Sequence, residues 1–141
     1  MSEGVHDVRE IILRWEERPV PGGGEDEVIW FCRCLGIGAG RDIDRIASRI
    51  IIALLSSRAH DEGIPVEEIA QELAVTPARV NHHIRRLAEA GIVYRQKKRI
   101  FIRGRSLRTL VQEIRKDALR ILDDLEGAAS EIDREYGIPH R

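Results

Sequence analysis

Cysteine is scarce in this chain of 141 residues: Cys32 and Cys34 are the two present, too few for a disulfide framework. The longest uninterrupted apolar run, Ile50-Ile51-Ile52-Ala53-Leu54-Leu55, is far below the ~20 residues that a membrane-spanning helix needs. Met1 to Glu10 lacks the basic and apolar pattern of an export signal, so a cytoplasmic protein with no membrane partner is expected. No Ser/His/Asp set, paired carboxylates or zinc-finger spacing is visible, so the chain is not expected to be an enzyme. Internal repeats are absent, and the triple glycine Gly22-Gly23-Gly24 is the only low-complexity tract. What is present, 43% apolar and 33% charged residues, suits one ordinary folded domain.

The net charge of −1 conceals a strong segregation. Residues 1–78 hold 8 basic and 15 acidic side chains, a net −7. Residues 79–120 hold 13 basic and 3 acidic, a net +10, and residues 121–141 hold 2 and 6, a net −4. A basic block between acidic flanks attracts a polyanion locally while the whole protein stays near neutral. Lysine occurs only at 97, 98 and 116, so arginine supplies 20 of the 23 cations and suits bidentate phosphate and guanine contacts.

Periodicity divides the chain into short helices. Val5, Val8, Ile11, Ile12 and Trp15 share one face of an expected helix over Val5–Glu17, and Pro19 to Gly24 then reads as a linker. Glu25 to Leu35 opens with three acids, as a helix N-terminus prefers. Gly36 to Gly40 ends it, and a further helix places Ile43, Ile46, Ala47, Ile50, Ile51, Leu54 and Leu55 toward a core. Gly63-Ile64-Pro65 is an extended entry to a helix over Val66–Leu73. Ala74-Val75 makes a tight connection, then Thr76 and Pro77 supply an N-cap and a first helical residue. That helix ends at Gly91. Ile92-Val93-Tyr94 and Ile100-Phe101-Ile102 read as strands around a polar tip, and a long helix runs from about Ser106 to Tyr136.

Two short helices with a tight turn, followed by a basic hairpin, form a helix-turn-helix with a wing. Its second helix must bury one face and offer hydrogen-bonding groups on the other. With Val80 as the core direction, Ile84 and Leu87 lie within about 40° of it at 100° per residue. Ala78, His82, Arg85 and Glu89 then point away, with Arg79 and Arg86 on one shoulder and Asn81 on the other. The wing adds Arg95, Gln96, Lys97, Lys98 and Arg99, suited to the DNA backbone or a minor groove.

The run Ile64-Pro-Val-Glu-Glu-Ile-Ala-Gln-Glu-Leu-Ala-Val-Thr-Pro-Ala-Arg-Val-Asn-His-His-Ile-Arg-Arg-Leu-Ala-Glu-Ala-Gly-Ile-Val-Tyr94 resembles winged-helix transcription regulators of the ArsR/MarR type, especially archaeal members. The likeness covers about residues 42–103 and extends to the long helix after the wing. It implies DNA binding, with Thr76, Ala78, Arg79, Asn81, His82, Arg85 and Arg86 facing the groove. Pro65 stands where serine or threonine is usual before the first motif helix.

Cys32-Arg33-Cys34 offers an alternative, since some ArsR-type sensors carry such a pair. On a helix, residues i and i+2 lie about 200° apart and cannot share one ion, and neither His6 nor His60 is fixed nearby by spacing. No metal or cofactor is therefore expected, and no small-molecule effector is identifiable. Gly36-Ile37-Gly38-Ala39-Gly40 lacks the strand-helix-strand context of a dinucleotide loop. His82 and His83 are about 100° apart, poor joint ligands, and His83 is expected on the flank of the core.

In the last helix Leu107, Val111, Ile114, Ala118, Ile121, Leu125, Ala128 and Ile132 recur in steps of 4 and 3, a heptad stripe. Two outcomes are expected: Leu107 to Ala118 packed locally, and Ile121 to Ile132 paired with a partner or with the Val5–Trp15 helix. The expected fold is mostly α: an N-terminal helical extension (1–40), a winged helix-turn-helix of three helices and a small β-wing (41–104), and a C-terminal dimerisation helix (105–141). The expected function is sequence-specific regulation of transcription by a homodimer on double-stranded DNA, recognition helix 77–90 in the major groove and wing 95–99 on the backbone or minor groove. A metal- or thiol-responsive sensor using Cys32 and Cys34, or a winged helix serving protein or RNA contacts, is the alternative.

Overall fold

A computed structural model describes residues 8–22, 24–38, 45–56 and 58–139. In chain order it contains α1 (Glu25–Cys34), α2 (Ile46–Leu54), α3 (Ala59–Glu62), β1 (Ile64–Pro65), α4 (Val66–Leu73), α5 (Pro77–Glu89), β2 (Val93–Gln96), β3 (Arg99–Ile102) and α6 (Leu107–Glu135). The architecture is the expected one: mostly helical, with a small antiparallel sheet and a long C-terminal helix.

α2 is the central helix because it is apolar nearly all round, and Ile46, Ala47, Ile50, Ile51, Ala53 and Leu54 are buried in it. α4 and α5 are amphipathic and close over it with Val66, Ile69, Ala70 and Leu73 from one, and Val80, Ile84 and Leu87 from the other. Their start signals differ. Thr76 caps α5, its hydroxyl accepting from the Arg79 backbone N–H at 3.2 Å with Pro77 at the first position. Pro65 offers α4 no side-chain cap, and Glu67 and Glu68 in the first turn favour that end through the helix dipole instead.

The turn between α4 and α5 forces Ala74 into the left-handed region at φ 58°. The Val75 N–H then bonds back to the Ala70 carbonyl at 3.0 Å. A Cβ in this conformation costs roughly 1–2 kcal/mol, while glycine adds about 0.5–1 kcal/mol of backbone entropy to the unfolded chain. Ala74→Gly is therefore expected to stabilise the protein by about 0.5–1 kcal/mol, read as a higher urea midpoint at unchanged slope.

The sheet has the order β1-β3-β2, all antiparallel, with Ile64 opposite Ile100 and Val93 opposite Ile102. The extended entry at Ile64-Pro65 is thus a third strand, a pairing that two residues cannot announce in sequence. The wing turn is Lys97-Lys98, both at positive φ (51° and 66°), so the tip has two residues, and Arg95, Gln96 and Arg99 belong to the strands.

The N-terminal segment corrects the sequence reading. Residues 8–20 form no helix; they run as a strap across the domain, and Val5 lies outside the described residues. The Arg14 N–H donates to the Cys34 carbonyl at 2.8 Å, and the indole N–H of Trp30 donates to the Glu16 carbonyl at 3.0 Å. Val8 is buried and Ile12 leans on Gly36, yet Trp15, expected on the core face, is 89% exposed. A helix of that length is marginal alone, so contacts offered by the folded body decide its shape.

α6 is capped by Ser106, whose hydroxyl accepts from the Thr109 N–H at 3.1 Å, and its 29 residues extend about 44 Å. Leu110, Ile114 and Asp117 are the residues it buries against its own domain. Leu107, Val111, Ala118 and Ile121 are half-buried, whereas Leu125, Ala128 and Ile132 are exposed. Ile114 is thus packed within the protomer, as expected for the Leu107–Ala118 half of the stripe, although the heptad stripe as a whole had offered it as a dimerisation residue. The strap does not cover the far half of the helix either; it touches α6 where the Arg120 guanidinium donates to the Val8 carbonyl at 3.2 Å.

Candidate nucleic-acid interface

α5 presents a surface opposite the buried row of Val80, Ile84 and Leu87. Thr76, Ala78, Arg79, His82, Arg85 and Arg86 are all exposed there, and Asn81 is half-buried. The periodicity of the sequence is thus reproduced residue by residue. Thr76 is a partial exception in role, because its hydroxyl is engaged as the N-cap of the helix.

The two borders of this face have different neighbours. On one, the Arg95 guanidinium in β2 donates to the Asn81 side-chain oxygen at 2.9 Å, tying the wing to the helix. On the other, Arg79, His82, His83 and Arg86 border a cleft of about 580 Å³ whose far wall is the strap residues Val8, Ile11 and Ile12. Gly91, just past the helix, is at φ +76°, and a Cβ there would meet Val8 at 2.7 Å. The strap therefore fixes the exit of α5 as the wing fixes its middle. His83 is half-buried, as expected for a residue on the flank of the core, and its ring meets His82 edge-on at 5.3 Å.

Within the wing the cations divide by what holds them. Arg99 donates to the Gly63 carbonyl at 3.1 Å and to the Glu62 carbonyl at 3.4 Å, so it anchors β3 to the end of α3. Arg105, beyond β3, lies 4.7 Å over the Phe101 ring and reaches the Tyr94 hydroxyl at 3.2 Å. Lys97 and Lys98 at the tip are exposed. Arg79 and Arg85 on α5 and Lys97 and Lys98 on the wing are thus all exposed.

Sequence reasoning missed the buried cation under this surface. Arg103 follows β3, and its side chain is 7% exposed. One Nη of Arg103 bonds an oxygen of Asp117 at 2.6 Å, the other reaches the second oxygen at 3.4 Å, and Glu113 lies at 3.7 Å. The same guanidinium points at the Gly91 carbonyl at 3.5 Å, and the Arg103 N–H bonds the Ile92 carbonyl at 2.9 Å. Arg103 thus links the exit of α5 to α6. A signal existed: Asp117 falls three residues after Ile114 and seven after Leu110, an acid on a core-facing row.

Cys32 is buried and Cys34 is half-buried beside Trp15, Trp30 and Phe31. His60 is exposed, with its ring nitrogen 3.4 Å from the Ser56 carbonyl, and His6 lies outside the described residues. Among the described residues, no three His, Cys, Asp or Glu side chains come together as a metal site. No helix among them is long and apolar enough to cross a membrane. The glycine-rich segment 36–40 is described only to Gly38, where it is a turn after α1 rather than a strand-to-helix loop.

Residues 43–94 match a family model described as winged helix-turn-helix DNA-binding. The match spans the helices α2 to α5 and enters β2. No curated protein matches the chain, and no solved structure does. Architecture and match together define a winged helix-turn-helix DNA-binding domain. A domain of this class suggests a DNA-binding regulator.

Proposed function

We propose that the protein is a sequence-specific transcriptional regulator that binds double-stranded DNA as a homodimer in the cytoplasm. α5 enters the major groove and the wing lies on the backbone or in the minor groove. The observation that carries this reading is the exposed row Ala78, His82 and Arg85, joined to the wing by the Arg95–Asn81 hydrogen bond. The small Ala78 lets the backbone approach the groove, arginine and histidine can read base edges, and Lys97 and Lys98 neutralise phosphates. The finer reading, a regulator of the ArsR/MarR type with archaeal character, is supported by the run Ile64–Tyr94. Selection of bound duplexes from a random pool, with and without zinc and reductant, tests the proposal. A common motif independent of both additions is the expected result. Enrichment of no sequence would leave a protein- or RNA-binding winged helix instead.

The homodimer is supported by the far half of α6, where Leu119, Leu122, Leu125 and Ile132 are each more than half exposed. At 100° per residue Leu122, Leu125 and Ile132 lie within about 80° of one another, an exposed apolar stripe of the kind that marks an interface. Leu125 is 60% exposed in the protomer, so Leu125→Glu is expected to change monomer stability by less than about 0.5 kcal/mol. In a dimer seam the same charge costs several kcal/mol. The variant is expected to sediment as a monomer and to bind its operator more weakly, because the second half-site is no longer held at high effective concentration. A wild type that sediments as a monomer at tens of micromolar would remove the homodimer.

A further inference from the structure

Donors and acceptors are unevenly spent on the exposed face of α5. The Thr76 hydroxyl accepts from the Arg79 backbone N–H at 3.2 Å, and the Asn81 side-chain oxygen accepts from the Arg95 guanidinium at 2.9 Å. Both oxygens are thus occupied within the protein. Arg79, Arg85 and Arg86 can only donate. His82 and Glu89 are the other side chains of this face able to accept, and both lie about 80–100° around the helix from Asn81.

The bond to Arg95 fixes how Asn81 is presented. Arginine has no acceptor, so the amide atom facing it must be the oxygen, and the NH2 group is turned away. Neither Asn81 nor Arg95 has another side-chain partner among the described residues. Ala78, one turn earlier and about 60° around the helix, carries only a methyl group, and Arg85, one turn later, is about 40° away. In the major groove guanine offers two acceptors, O6 and N7, whereas adenine sets one acceptor beside its N6 amino donor. A free asparagine suits adenine because its amide presents an acceptor and a donor together. Here that acceptor lies against a guanidinium, so an adenine amino group would meet N–H donors. Guanine would meet donors at both of its acceptors.

We infer that Asn81 and Arg95 act as one donor-only unit that reads guanine and rejects adenine, with Arg95 setting the orientation of Asn81. The inference rests on the DNA-binding reading above and carries it further. It moves Arg95 from the backbone contacts of the wing to the choice of a base read by the helix.

The test is selection of bound duplexes from a random pool by the full chain and by Asn81→Ala, Arg95→Met and Arg95→Lys. Titrations then use duplexes that differ only at the affected base pair. Arg95 is exposed, so its replacement removes no core contact. The wild type is expected to select guanine at one position of its motif, and Asn81→Ala to lose that preference. The loss should read as roughly a five- to hundredfold fall in the ratio of guanine to adenine affinity. Arg95→Met keeps the stem of the side chain but releases the Asn81 oxygen, so selection should move toward adenine at the same position, by about fivefold or more in that ratio. Arg95→Lys can still donate to the oxygen and should keep guanine. A different outcome would make Arg95 a phosphate contact: the same motif for Arg95→Met as for the wild type, affinity lowered equally on every sequence, and a salt slope smaller by about 0.9. That result would overturn the inference and leave DNA binding standing. A wild-type motif unchanged by Asn81→Ala would overturn it as well. A wild type that selects no motif would overturn the sequence-specific reading itself, and the inference with it.

Discussion

Replacing Arg85, Arg86, Lys97 and Lys98 together by alanine is expected to abolish detectable duplex binding while leaving the fold intact. All four side chains are exposed, so their loss removes no core contact. The four divide by role. Arg85 lies on the outward row with Ala78 and His82, where a bidentate contact to a base is worth about 1–3 kcal/mol. Arg86 lies on the border toward the strap, where a phosphate contact rather than a base contact is expected. Arg85→Ala should therefore cost about 1–3 kcal/mol and relax the preferred sequence. Arg86→Ala should cost a similar amount with the preference retained. Lys97 and Lys98 at the wing tip act through counterion release, and each neutralised phosphate contributes about 0.9 to the slope of log K against log salt. Losing both should flatten that slope by up to about two while the selected motif stays the same. Binding titrations at several salt concentrations, on the selected duplex and a scrambled one, separate these outcomes. Equal duplex affinity for the wild type and the quadruple variant would sink the interface.

The second large effect is expected inside the protein. Asp117→Ala leaves the Arg103 guanidinium buried with only Glu113, at 3.7 Å, to answer its charge. Breaking a buried ion pair from one side costs about 3–5 kcal/mol, and the surviving glutamate places this case near the lower bound. At roughly 2–4 °C per kcal/mol for a chain of this size, the melting temperature should fall by roughly 10 °C. Arg103→Met with Asp117→Leu replaces the pair by apolar groups of similar reach and should recover most of that loss. The recovered protein then tests whether the pair also sets the position of the recognition helix. Arg103 joins Asp117 on α6 to Ile92 and Gly91 at the exit of α5. If that link aligns the two recognition helices of a dimer, the double variant will regain most of the lost stability yet bind its operator more weakly. Undiminished operator affinity would confine the pair to stability.

The helix-turn-helix and its outward face were legible in the sequence because they rest on local rules. Thr76-Pro77 starts a helix whatever surrounds it, and Val80, Ile84 and Leu87 define its buried face by spacing alone. The wing followed from two β-branched runs around a polar tip, and the long last helix from its heptad steps. Three other features depend on groups distant in sequence. The strap carries an amphipathic period that suits a helix, but the Cys34 carbonyl, Gly36 and Gly91 offer an extended chain better contacts. β1 exists because Ile64 meets Ile100, a partner thirty-six residues away. Arg103 was one arginine in a basic block until Asp117 closed on it across fourteen residues. Which half of the α6 stripe is spent on the protein's own core was also decided by tertiary packing: Leu110 and Ile114 join the buried core, and among the described residues nothing buries Leu125. Sequence by itself determined the helix-turn-helix, the wing, the last helix and the chemistry of the exposed face, because hydrogen bonding and periodicity within a few residues set them. Tertiary structure alone decided which cations are held internally and which face solvent, because that depends on where carbonyls and carboxylates from remote segments come to rest.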